Sequence, residues 1–299
     1  MEVREATLDD THDIVAVHLT NPEPPFDRPP ETLTITERCD HGGPWMTMET
    51  CAIHLNNLLA WGYAPLVVEH EGKVIAETEF YVGRDIPPLG TTLDISVLYV
   101  HSEHQRRGAG TMLVEEMIST AKQRCCDHIT VSGLGGPGSP GFYARFGFTQ
   151  LLQMQTVNCA VPKTSNLGSG ELYVPRDFEK PPNGTLWLGR FLSPCQKWRE
   201  IVDGLNRRDL MLPATLGGYC MSRGSSGFIV SEWHDANAAD LYLWAETLTR
   251  EMVLELLVRT RDAGYQRACL LCHPVVAQAV ADMCGSRATP SWLIWGKRL

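Results

Sequence analysis

Val100-His101-Ser102-Glu103-His104-Gln105-Arg106-Arg107-Gly108-Ala109-Gly110 is the stretch on which the reading of this chain turns. Residues 93–100 read as a strand, and beyond the loop Ala109, Leu113, Met117 and Ile118 recur at helical spacing. A helix over residues 109–124 should therefore lay one face on a sheet. Gly108 and Gly110 lack Cβ atoms, which lets the turn bend sharply and a ligand approach the backbone. The helix start presents unpaired N–H groups with partial positive charge, to which Arg106 and Arg107 add more. Such an arrangement cradles a pyrophosphate. A Gly-x-Gly standing alone is more often an ordinary loop, so its surroundings decide.

Upstream, a short strand at residues 3–7 precedes a helix from about Leu8, with Thr7 or Asp9 available to cap it. Asn21-Pro22-Glu23-Pro24-Pro25 and Pro29-Pro30 impose an extended loop, either a connector or a flank of the acceptor site. Residues 46–61 are helical again, and the apolar runs 65–69 and 74–82, split by Glu71-Gly72-Lys73, predict a hairpin. Downstream, 129–132 is a strand, 139–145 a short helix, and Gly147-Phe148 leads into a strand ending near 158. Residues 161–184, rich in Pro, Gly, Ser and Asn, mark a connection. Strands at 241–245, 268–272 and 292–296 and helices at 250–263 and 275–283 then repeat the element order of residues 93–158. The expected organisation is one domain over 1–160, a linker over 161–184 and a second domain over 185–299, in keeping with a length of 299 residues.

Two signatures carry a family resemblance. Gln105-x-x-Gly108-x-Gly110 matches the Q/R-x-x-G-x-G/A loop of the GNAT N-acetyltransferase superfamily, in the right strand–loop–helix context. Gly141-Phe142-Tyr143-Ala144-Arg145-Phe146-Gly147-Phe148 looks like that family's FYxxxGF ending. Over residues 1–158 the chain resembles this superfamily. The resemblance implies an α/β (α+β) GNAT fold: a mixed, mostly antiparallel sheet flanked by helices, here duplicated.

It implies acetyl-CoA as co-substrate and transfer of acetyl to a primary amine. The pantetheine arm would lie along Leu98, Tyr99 and Val100, and the pyrophosphate on Gln105, Arg106, Arg107, Gly108, Ala109, Gly110 and Thr111. Amide formation needs an uncharged amine, a stabilised oxyanion and a proton for the departing thiolate. Tyr143 aligns with the tyrosine that protonates or orients the CoA sulfur. Asp94 occupies the position of a carboxylate base, with Glu79 on the hairpin strand as its competitor. His101 and His104 read as loop residues. A sensor or scaffold that binds acyl-CoA without transferring it, and a purely structural module, are the other readings the sequence leaves open.

The second half departs from the pattern. Glu246-Thr247-Leu248-Thr249 stands where the loop should be, without glycine and with a carboxylate that would repel phosphate. Residues 185–299 are therefore expected to be GNAT-like without the cofactor loop, serving support or acceptor selection. Gly133-Leu134-Gly135-Gly136-Pro137-Gly138 reads as a loop shaping the site, not as a second phosphate loop.

Charge and composition exclude several classes. The 26 Lys and Arg against 35 Asp and Glu, a net charge of -9, argue against nucleic acid as a partner. The excess of acid lies in residues 1–155, which would attract a cationic amine or simply keep the surface soluble. No apolar run is long enough for a membrane helix, and Met1–Glu5 shows no signal-peptide pattern, so a cytoplasmic setting is expected. Ten cysteines then fit a reducing compartment. Cys269-x-x-Cys272-His273 matches a haem-attachment pattern but lies in an apolar strand, and no second ligand pair completes a zinc site, so no metal is expected. Cys125 and Cys126 read as small buried hydrophobes before a redox pair.

Overall fold

Residues 1–133, 138–162, 181–206, 216–220, 225–232 and 235–299 are described in a computed structural model. They divide into two compact units: 1–82 with 93–129 and 299, and 83–92 with 130–298.

In the first unit, β1 (Glu2–Glu5) leads through a capping box at Thr7 and Asp10 into α1 (Thr11–Leu19). Arg4 grips both Asp10 oxygens at 2.7 and 2.8 Å and also reaches Glu69 at 2.8 Å. The Arg4 guanidinium holds the Asp10 carboxyl below its ordinary range. The proline-rich stretch is extended at first, but α2 (Ile35–Cys39) follows it, started by a reciprocal cap between Thr34 and Glu37. α3 (Met48–Ala60) is capped by Thr47. β2 (Leu66–His70) and β3 (Lys73–Arg84) form the expected hairpin, with His70 opposite Lys73. β4 (Thr91–Val100) and α4 (Ala109–Gln123) complete the unit. Its strands run in the order β1-β2-β3-β4, and α4 packs on β1 and β2 through Ala109, Leu113, Val114, Met117 and Ala121.

β5 (His128–Ser132) carries the chain from the first unit into the second. α5 (Ser139–Ala144), β6 (Thr149–Ala160), β7 (Thr185–Leu188), α6 (Pro194–Asn206), β8 (Leu216–Cys220) and β9 (Ser226–Glu232) come next. β10 (Asp235–Ala245), α7 (Arg250–Asp262), β11 (Arg267–Cys272), α8 (Pro274–Cys284) and β12 (Thr289–Arg298) end the chain. From β10 to β12 the order strand, helix, strand, helix, strand is that of β4, α4, β5, α5 and β6. The strands order as β12-β6-β11-β7-β10-β9-β8. One sheet face buries Leu241, Leu243 and Leu270 under α7 and α8. The other buries Trp198, Phe228, Tyr242 and Trp244 with α6.

Two features depart from simple repetition. β6 pairs antiparallel with both β11 and β12, the last two strands of the second half. Compact units and sequence halves therefore divide the chain differently: residues 149–160 belong with the strands of the second half. Most of the expected linker, 163–180, lies outside the described residues. The other departure is β7. β10 and β11 are parallel and paired only from Ala238/Arg267 to Asp240/Cys269; beyond that they diverge, and β7 enters between them. Leu188 stands opposite both Leu243 and Cys272, Gly189 N donates to Leu271 O at 2.8 Å, and His273 N donates to Trp187 O at 3.0 Å.

Just beyond β7, Arg190 is fully buried. Its guanidinium meets Asp85 through Nε (3.1 Å) and Nη2 (2.5 Å), and Ser132 Oγ through Nη1 at 2.5 Å. A paired, hydrogen-bonded charge of this kind is tolerated inside a protein only with its partner in place. The contact ties residues 83–92 into the second unit.

Gly189 fixes the exit from β7. Its φ is +91°, and an added Cβ would lie 2.1 Å from Tyr242 Cδ1 and 2.9 Å from Leu241 O. Gly189→Ala should cost roughly 2–5 kcal/mol, combining left-handed strain with overpacking. Gly264→Ala, at φ +97° with nothing within 4 Å, should cost only about 1–2 kcal/mol. Urea unfolding of the two variants side by side checks the difference, and equal midpoints would remove Tyr242 from the argument.

Candidate functional site

The loop between β4 and α4 first makes a helical turn at Ser102–His104, then reverses through Arg106 at φ 60° and Gly108 at φ 99°. Gly108 is the N-cap of α4, which has no side-chain cap and no acidic residue in its first turn. The first N–H groups of α4 thus keep their partial charge for a ligand. A Cβ on Gly108 would meet nothing within 4 Å, so the angle demands the glycine and the space above it is open.

The loop is braced from α1. Asn21 Nδ2 donates to Val100 O at 2.9 Å, and Gln105 Nε2 donates to Asn21 Oδ1 at 2.9 Å and Val100 O at 3.3 Å. Ser102 N donates to Thr20 Oγ1 at 3.1 Å. Gln105 therefore holds the loop shut against the end of β4, and the Val100 carbonyl is already engaged. Thr20 and Asn21 carry no signal in the sequence beyond a position at the end of a helix, before Pro22.

A buried acid–base cluster lies beneath α1 and α3. Glu77 and Glu79 share one face of β3. His18 Nε2 sits 3.1 Å from Glu77 Oε2, both side chains being fully buried. The imidazole is stacked between Tyr99 (4.4 Å) and Trp45 (5.5 Å). Burial, with a smaller contribution from the nearby His54, lowers the His18 pKa to about 3. Burial raises Glu77 well above the carboxylate range, with Glu79 adding to it. Both shifts disfavour the charged forms, so burial opposes an ion pair at this contact. Burial also pushes the Tyr99 hydroxyl up.

His54 Nε2 lies 3.1 Å from Glu79 Oε2, with Glu79 buried and His54 17% exposed. The His54 ring meets Trp45 edge-on at 4.7 Å. Asp94, on β4, is completely enclosed. Of this cluster the sequence singled out only Glu79 and Asp94. His18 and His54 sat unremarked on apolar helix faces.

Tyr143 belongs to the second unit. It is buried on α5, with ring centroids 5.1 Å from Phe142 and 5.4 Å from Phe148. Residues 134–137 of the glycine-rich loop before it lie outside the described residues. The start of α7 contrasts with that of α4: Thr249 Oγ1 accepts from Met252 N at 3.4 Å, and Glu251 stands in the first turn. Its helix terminus is thus capped by the protein itself.

The cysteine motifs resolve simply. Cys272 is buried in β11, and His273 caps α8 while its Nε2 meets Pro87 O at 2.8 Å. Cys126 is buried as expected, but Cys125 is exposed. Among the described residues no cluster of His, Cys, Asp or Glu could hold a metal ion, and no helix is long and apolar enough to cross a membrane.

Residues 18–148 match the sequence model of the acetyltransferase (GNAT) family, so this segment is a GNAT domain. Over 114 residues it is 32% identical to the L-methionine sulfoximine/L-methionine sulfone acetyltransferase of Salmonella typhimurium, covering 35% of this chain and 66% of that protein. It is 30% identical over 114 residues to the L-amino acid N-acyltransferase MnaT of Escherichia coli, covering 35% and 65%. The chain thus spans about two thirds of the length of these relatives. The GCN5-related N-acetyltransferase of Anabaena variabilis shares the fold over 99% of this chain and 71% of its own, with a TM-score of 0.59 and 10% identity.

The buried pair has a pH signature. His18 contributes stability that is complete above its ordinary value near 6.5 and is lost as pH falls toward 3. Glu77 contributes stability that is complete below its ordinary value near 4.5 and is lost as pH rises. Between those two values the trends oppose and stability should be level; on either side it should fall by about 1.4 kcal/mol per pH unit. Urea unfolding from about pH 4 to about pH 8 tests this. Glu77→Gln should abolish the decline on the alkaline side and leave the His18 slope to begin near pH 6.5; an unchanged alkaline slope would mean that Glu77 is ionised in the native protein.

Proposed function

We propose that the chain transfers acetyl from acetyl-CoA to a primary amine by direct attack on the thioester. The observation that carries the reading is the open, uncapped start of α4 behind the left-handed turn at Gly108. The backbone N–H groups of residues 108–111 and the side chains of Arg106 and Arg107 would hold the pyrophosphate, and the end of β4 from Leu98 to Val100 would lie along the pantetheine arm. Gln105 acts by holding that loop in place.

Acetyl-CoA supplies the activated acyl group. The amine nitrogen bonds to the carbonyl carbon, the C–S bond breaks, and the amine proton must leave. Three groups compete to accept it. Asp94 is enclosed, whereas Glu79 orients a partly exposed imidazole, so the geometry favours His54 as base with Glu79 positioning it. By the family resemblance, Tyr143 is the residue proposed to return a proton to the departing sulfur. Because both curated relatives act on amino acids or their analogues, a small α-amino compound is the first acceptor class to test. The described cysteines form no disulfide, in keeping with work in the reducing cytoplasm.

The test is release of free CoA thiol with a panel of amines. Gly108→Glu, which places a strained side chain and a carboxylate at the cradle, should abolish release. Tyr143→Phe should lower kcat by about a hundredfold or more. Full activity in Gly108→Glu would move the cofactor elsewhere.

A further inference from the structure

The end of α1 is latched to the loop between β4 and α4 by a closed ring of hydrogen bonds. Asn21 Nδ2 donates to Val100 O at 2.9 Å, Gln105 Nε2 donates to the same carbonyl at 3.3 Å, and Gln105 Nε2 also donates to Asn21 Oδ1 at 2.9 Å. The other Nδ2 hydrogen of Asn21 goes to Thr20 Oγ1 at 2.9 Å. A carboxamide offers two N–H donors and one acceptor oxygen, and Asn21 uses all three. The Thr20 hydroxyl is equally committed: it donates to Val17 O at 2.7 Å and accepts from Asn21 Nδ2 and, at 3.1 Å, from Ser102 N. Two neighbouring side chains thus hold both ends of the stretch 102–105.

The chemistry of the ring demands an amide at position 21. Aspartate has the same shape but no hydrogen for either oxygen, and it would set a carboxylate against the Val100 carbonyl. The base of the latch is itself anchored. α1 buries Ile14 and Val17 completely, and its enclosed His18 stacks at 4.4 Å on Tyr99, the residue before Val100, while meeting Glu77 at 3.1 Å. Helix and strand end are therefore fixed to each other before the loop begins. Beyond Gln105 the chain passes through two left-handed residues, Arg106 at φ 60° and Gly108 at φ 99°. Glycine adopts such an angle freely, whereas an arginine there costs free energy and must be held by its neighbours.

We propose that Asn21 is a positioning residue for the acyl donor: the ring it closes keeps the loop in its left-handed course, so that the first N–H groups of α4 stand in place before the donor arrives. The proposal rests on the reading of the α4 start as the acyl-CoA site. Asn21 acts through Gln105 and Val100, not on the reacting atoms. A loop already built binds without an ordering cost, so loss of the ring should appear in donor affinity and in exposure of the loop.

Trypsin reads the latch without any ligand, because Arg106 and Arg107 are exposed cleavage points inside the loop. On the full chain, Asn21→Ala and Asn21→Asp should each speed cleavage after these two residues by about tenfold, the worth of one or two hydrogen bonds. Cleavage after Lys122 and Arg124, at the far end of α4, should not change. Isothermal titration should show CoA bound about fivefold or more weakly by both variants. In thiol release, KM for acetyl-CoA should rise by a similar factor while kcat changes less than about twofold, a split that a general loss of stability does not produce. Gln105→Ala opens the ring from its other side, so combining it with Asn21→Ala should weaken CoA binding little beyond either change alone. Unchanged cleavage or unchanged CoA affinity in a folded Asn21→Asp would overturn the proposal, as would fully additive losses in the double variant. If neither Asn21 variant folds, the same two measurements on Gln105→Ala, whose side chain is exposed, decide. An unaltered chain that binds no CoA would remove the donor site itself, a result distinct from CoA binding that ignores Asn21.

Discussion

Backbone N–H and C=O groups withdrawn from water must find partners, and two parallel strands that part company lose the ones they had. That constraint organises the second unit. β10 and β11 separate beyond Asp240 and Cys269, and β7 supplies the missing ladder on both sides. The chain must then leave a position enclosed by strands, which sets the left-handed turn at Gly189. Tyr242 lies against that turn. One residue later, Arg190 is delivered to Asp85 and Ser132, and the buried Asp85 carboxylate gains its counter-charge.

The two halves thus solve one structural problem in opposite ways at their helix starts. α4 begins with a glycine and leaves its amide dipoles exposed, whereas α7 is satisfied by Thr249 and places Glu251 in its first turn. An exposed start invites an anion, and a capped one refuses it. The halves repeat an order of elements, but these few residues give their helix starts opposite electrostatics.

Legibility in the sequence followed the range of the interactions involved. The α4 loop, the β2–β3 hairpin and α7 through β12 could be read because local spacing fixes them: a turn, a helical face, an alternation. β7, α6, β8 and β9 left no comparable trace. The identity of β7 as a filler strand depends on partners at Leu243 and Cys272, far along the chain. Glu79 and Asp94 could be named as candidates, yet the pairing of Glu77 with His18 across 59 residues, and of Glu79 with His54 across 25, emerges only when α1 and α3 cover β3. A charged letter in an apolar run told of a buried group but not of its companion. Gln105 was read as a ligand-binding residue, and the fold shows it bracing the loop through Asn21.

The position of β6 bears on how the protein comes into being. This strand is flanked on both edges by β11 and β12, and Thr156 finds Thr289 at a separation of 133 residues. During synthesis β6 leaves the ribosome long before either neighbour exists, and bare strand edges invite foreign pairing. Its two edges are covered only once residues 267–298 have been made.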